Sequence, residues 1–67
     1  MRYYVNRNSQ PNGDHEVHTY TCTHGPADHN REYLGEFSGC ALAVREAKRT
    51  YRTANGCYYC SNACHTS

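Results

Sequence analysis

"GCALAVREAKRTYRTANGCYYC", Gly39 to Cys60, is the stretch on which the fold turns. Its first two thirds are dense in Ala, Leu, Arg, Glu and Lys, residues that lose little side-chain freedom in a helix. Cys40, Val44, Ala47, Tyr51 and Ala54 recur at three- and four-residue steps. The spacing therefore predicts a helix over Gly39–Ala54 with one apolar face. Ser38 is the expected N-cap, and Asn55-Gly56 reads as a left-handed C-cap that stops the helix just before a cysteine cluster.

Upstream, "RYYVNR" (Arg2–Arg7) and "HEVHTYTC" (His15–Cys22) are rich in β-branched and aromatic residues and read as strands. "NSQPNGD" (Asn8–Asp14) joins them as a hairpin loop of more than two residues. "THGPADHNR" (Thr23–Arg31) reads as loop, and "EYLGEF" (Glu32–Phe37) as a third strand with a bulge at Gly35. The expected fold class is α+β: a three-stranded antiparallel meander, one α-helix across one face, and a short Cys-rich C-terminal segment. Strand two leaves its facing open, with either Val17, Thr19 and Thr21 or His18, Tyr20 and Cys22 turned to the helix. The sheet's other face is expected to be open or covered by a second copy of the chain, as a homodimer.

A chain of 67 residues makes a single domain, 1–67, with a marginal core. It holds one Phe, one Met and no Trp or Ile, while seven tyrosines supply much of the burial. Chains of this size lean on metals, disulfides or partners for stability. A net charge of +1 offers no global field for nucleic acid, and no apolar run is long enough to span a bilayer. The N-terminus "MRYYVNRN" lacks the apolar core of a secretory signal, so the expected location is cytoplasmic, where stable disulfides are uncommon. Five cysteines in such a setting point to metal or thiol chemistry.

Geometry suggests which cysteines meet. With strand three antiparallel to strand two, a helix of sixteen residues, roughly 24 Å long, returns over Cys22 and delivers "CYYCSNACH" there. Cys40 is left at the opposite end. The expected metal ligands are Cys22, Cys57, Cys60 and Cys64, with His24, His29 and His65 as alternates. Four thiolates, or three and an imidazole, suit tetrahedral zinc, and a C-x-x-C step offers two ligands from one turn. Buried thiols acting as small hydrophobes, or one or two disulfides, account for the same residues. If the tail folds back along the helix, Cys40 and Cys64 form the competing pair.

Other patterns are weaker. Cys57-Tyr-Tyr-Cys60 follows a helix rather than preceding one, so it lacks the N-terminal dipole of a thioredoxin-like site. "CSNACH" is one residue longer than a haem-attachment motif. "HEVH" (His15–His18) in a strand cannot present the two-histidine face of H-E-x-x-H and reads as a partly exposed strand. Arg45, Lys48, Arg49 and Arg52 form a basic stripe that can follow a phosphate backbone, or simply be a solvated helix face. Nucleic acid is the less favoured partner because the overall charge is near neutral.

The blocks "YYVNRNSQPNGDHEVH", "YLGEFSGCALAVREAKRTY" and "NGCYYCSNACHTS" cover nearly the whole chain and resemble a small bacterial Cys-rich family with no assigned activity. The resemblance implies a bacterial cytosolic source and a compact α+β domain, and it implies no reaction. The expected function is a small non-enzymatic binding or adaptor module with structural zinc and a protein partner. The alternatives are a thiol-redox or disulfide-switch protein and nucleic-acid binding through the helix stripe.

Overall fold

The computed structural model describes residues 1–66; Ser67, the last residue of the expected domain, lies outside them. Four strands form one mixed sheet, β1 (Arg2–Asn6), β2 (His15–Thr19), β3 (Arg31–Glu36) and β4 (Ala54–Gly56), in the order β3-β1-β2-β4. One helix, α1 (Cys40–Ala47), packs on the sheet. The class is α+β as expected, but the three-stranded antiparallel meander is not what forms.

The hairpin follows its turn chemistry. Asp14 N–H donates to Asn12 Oδ1, Gly13 takes φ +92°, and β1 and β2 pair antiparallel with Val5 opposite Val17. β3 then pairs antiparallel with β1, not with β2. Gly35, at φ +126°, lies at a register shift between Tyr3 and Tyr4, the bulge its sequence position suggested. Because β2 and β3 both run against β1, they run parallel to each other. The connection between them, residues 20–30, must travel the length of the sheet. It does so across Tyr4: a Cβ on Gly25 would collide with the Tyr4 hydroxyl, and the Arg31 guanidinium lies 4.7 Å from the Tyr4 ring centroid. The connection covers the second face over Tyr4 and His18, which are buried, while Tyr33, opposite Tyr4 on β3, remains exposed. Over β1 and β2 the face expected to be open to solvent or to a second copy is thus filled from within the chain.

The helix is shorter than its periodicity predicts. It stops at Ala47, and its N-cap is Gly39 with no side-chain cap bond, not Ser38. Three turn bonds, from Arg49, Thr50 and Tyr51 back to Glu46 and Ala47, close its C-terminus. Thr50, Tyr51 and Thr53 are weaker helix formers than the residues before them. Beyond them, Ala54–Gly56 gain a parallel ladder on the free edge of β2, His15 opposite Ala54 and Val17 opposite Gly56. The supposed C-cap is a buried edge strand. Val17, not His18, faces α1, in a core with Tyr3, Val5, Ala43, Ala47 and Ala54.

Of the basic stripe, Arg45 lies on α1, Lys48 is its C-cap, and Arg49 and Arg52 follow in the turns beyond; all four are exposed, and Arg49 pairs with Glu46 at 3.3 Å. No helix among the described residues is long and apolar enough to cross a membrane.

Candidate metal centre

The strand order determines where each cysteine arrives. β2 ends beside the start of β1, since Tyr20 N–H donates to Arg2 O, and Cys22 follows in a turn closed by its N–H to Thr19 O. β3 ends at the same place, with Glu36 opposite Arg2, so α1 starts there too. The helix carries the chain to the far end, where His15 N–H meets Thr53 O. β4 then runs back, and Cys57 N–H donates to Val17 O. Cys57 and Cys60 are thus delivered to Cys22, and Cys40 lies at that end as well.

On the sheet face away from α1, donor atoms of His18, Cys22, Cys57 and Cys60 all lie within 4.8 Å of one another. Cys22 Sγ is 3.9 Å from Cys57 Sγ, and Cys60 Sγ is 3.9 Å from His18 Nδ1. A tetrahedral ion with metal–sulfur bonds of about 2.3 Å separates its ligands by about 3.8 Å. The residues present therefore fit a four-coordinate metal, and the cluster can hold one.

Its electrostatics come from burial. His18 is 1% exposed, and burial, with the charges of Arg31 and His24, lowers its pKa to about 4. The imidazole is thus neutral near pH 7, the form that ligates. Glu16 Oε1 stands 3.8 Å from His18 Nε2, so with a neutral ring this contact is a positioning contact and not an ion pair. Tyr4 stacks on the other side of the imidazole at 5.3 Å. Burial pushes the Cys22 thiol up to about 12, and the neighbouring Cys60 and Cys57 add to this against a hydrogen bond from His24 N–H. Cys57 is raised mainly by burial. Cys60 moves the other way. Burial raises it, but the Thr19 N–H at 3.2 Å, with hydrogen bonds from Cys22 and Ser61, brings it below the ordinary thiol value. A cation placed among these sulfurs would replace the unfavourable burial of three thiolates with coordination.

Of the expected ligands, Cys22, Cys57 and Cys60 come together. Cys64 does not join them: it is disulfide-bonded to Cys40, with Cα atoms 6.2 Å apart. Cys40 was excluded on the assumption that β3 lay antiparallel to β2, which put it at the wrong end. The alternates have other roles. His24 stacks on Tyr59 at 3.7 Å, and His65 Nδ1 lies 2.9 Å from Gly56 O. His29 is exposed in a 3-10 turn at Asp28–Asn30.

The missed residue is His18, which as part of "HEVH" read as partly exposed. A usable signal was present. His18 and Cys22 have the same parity in the strand expected over His15–Cys22 and so offer a second ligand pair beside C-x-x-C, although β2 itself ends at Thr19 and a turn delivers Cys22 to the site. Compared with protein families, curated proteins and solved structures, the chain finds no match.

Proposed function

We propose that this chain is a small non-enzymatic binding or adaptor module built around structural zinc held by His18, Cys22, Cys57 and Cys60. The observation that carries the reading is the four-donor cluster, whose atoms all lie within 4.8 Å of one another, with Cys22–Cys57 and Cys60–His18 at 3.9 Å. Zinc favours such sulfur-rich tetrahedral sets, and when all four positions come from protein no site remains for a substrate. Beside it the Tyr4 hydroxyl is buried without a hydrogen-bond partner. In small domains the energy of metal binding is folding energy.

Zinc content of protein purified without a polyhistidine tag tests the proposal. About one equivalent is expected, and a strong chelator should unfold the Tyr4–His18 face. Folded protein with under a tenth of an equivalent, unable to take up added zinc, would remove the reading.

A disulfide-switch protein is the second reading, favoured by Cys60 being held below the ordinary thiol value among two further thiols. Disulfide reductase activity that persists in the zinc-loaded protein would favour it over structural zinc.

A further inference from the structure

The Cys-rich tail passes around the β4 edge of the sheet. Cys57 and Cys60 lie on the His18 face, while Cys64, four residues later, is bonded to Cys40 at the start of α1 on the opposite face. The segment between them is tightly seated. Ser61 is buried, its N–H donates to Cys57 O, and its carbonyl accepts from Cys64 N–H. Ser61 Oγ lies 3.7 Å from Cys60 Sγ. Gly56 allows this close approach, since a Cβ there would lie 2.6 Å from Ser61 O and 2.8 Å from Cys64 Cβ. Yet the 3-10 turn Asn62–Cys64 buries none of its own residues. Its covalent bond to Cys40 is the strongest tie it has to the helix, and both of its cysteines are only partly buried.

We propose that the Cys40–Cys64 disulfide is a reducible latch on the metal centre: closed, it holds Cys57 and Cys60 in ligating position; opened by a cellular thiol, it lets the tail lift and the metal leave. The proposal rests on the metal reading above. Two thiols of a glutathione-type or dithiol reductant supply two electrons and two protons. The sulfur–sulfur bond breaks, Cys40 and Cys64 become thiols, and the reductant becomes its own disulfide. The remaining three cysteines stay reduced throughout. Without the disulfide, that end of the segment is left to the hydrogen bonds of His65 with Gly56 and of Thr66 with Asn55. The effective concentration of the two ligands it carries therefore falls, and the exchange rate of the metal rises without any ligand being altered.

The test follows zinc release to a colorimetric chelator from three samples: the oxidised wild type, the wild type in graded glutathione, and Cys40→Ala/Cys64→Ala. Alkylation and mass measurement report the disulfide in each. Release from the double variant should be at least tenfold faster than from the oxidised wild type and indifferent to glutathione, which controls for metal extraction by the thiol itself. Wild-type release should accelerate in proportion to the reduced fraction. If the double variant does not fold, wild type that has been reduced and then freed of thiol by gel filtration takes its place. Zinc bound but released at the same rate with the disulfide open or closed would overturn the latch and leave the metal reading standing. Five titratable thiols in folded, zinc-loaded protein, once the zinc is displaced, would overturn the latch as well. Oxidised wild type that takes up no zinc would end the metal reading and this inference together.

Discussion

His18 is the residue on which the candidate site depends, since it is the one candidate ligand contributed by the regular sheet. His18→Ala should weaken zinc binding by more than Glu16→Gln does. Loss of an outer-sphere carboxylate of that kind costs about 10–100-fold in affinity, whereas loss of a ligand opens the coordination sphere. Competition with a chromophoric chelator would rank the two, and equal effects would argue that His18 packs without ligating. His18 also sets an acid limit for the metal-free protein. Its pKa falls from 6.5 in the unfolded chain to about 4 in the fold. Between these values the unfolded state binds the extra proton, so stability is full above the upper value and declines as pH drops towards the lower. The ceiling is about 3 kcal/mol. Urea midpoints of metal-free protein at several pH values should show the decline, and a flat profile would contradict the burial of this ring.

At the scale of elements, β4 is three residues long, yet it aligns both Cys57 with His18 and the tail with Gly56. Gly56→Ala should destabilise by about 1–3 kcal/mol, as overpacking against fixed backbone does. Gly39→Ala is the matched control, since a Cβ there meets nothing within 4 Å. Denaturant unfolding of the two variants distinguishes a local packing limit from a general intolerance of glycine replacement. Much of this level was legible. The hairpin, the Gly35 bulge, the start of the helix and the presence of a third strand all follow from local propensity and turn chemistry. The end of the helix was not legible, because Ala54–Gly56 become a strand only through hydrogen bonds to β2, 39 residues earlier in register. Helical periodicity carries no information about a free strand edge elsewhere.

For the whole molecule, two features bear on one tail, a four-donor cluster that could hold a metal on one face and a disulfide on the other. A disulfide joining residues 24 apart contributes about 3.5 kcal/mol by restricting the unfolded chain. With zinc bound as proposed, metal and disulfide would restrain the same segment, and their effects should not add. A cycle comparing wild type and Cys40→Ala/Cys64→Ala, each with and without zinc, should give a coupling of about 1–3 kcal/mol in unfolding free energy. Zero coupling would mean that the two halves of the tail are independent. Hydrogen exchange across β4 gives a second view: protection there should fall on chelation before it falls in β1.

The sequence by itself determined that this is a small α+β domain with a thin aliphatic core, and that Cys22, Cys57 and Cys60 converge at one end. The convergence was reached by a route the structure does not take. A meander with a long helix and a β3-β1-β2-β4 sheet with a short helix and a returning β4 both bring the tail to Cys22. Only the tertiary structure decided the fourth donor and the disulfide. Placing β3 beside β1 moves the start of α1, and Cys40 with it, to the cysteine end of the sheet. The same choice sends residues 20–30 across Tyr4 and His18 and turns an exposed-looking histidine into a buried one. Strand order is a long-range property, fixed by which edges are covered, and local pattern along the chain does not encode it.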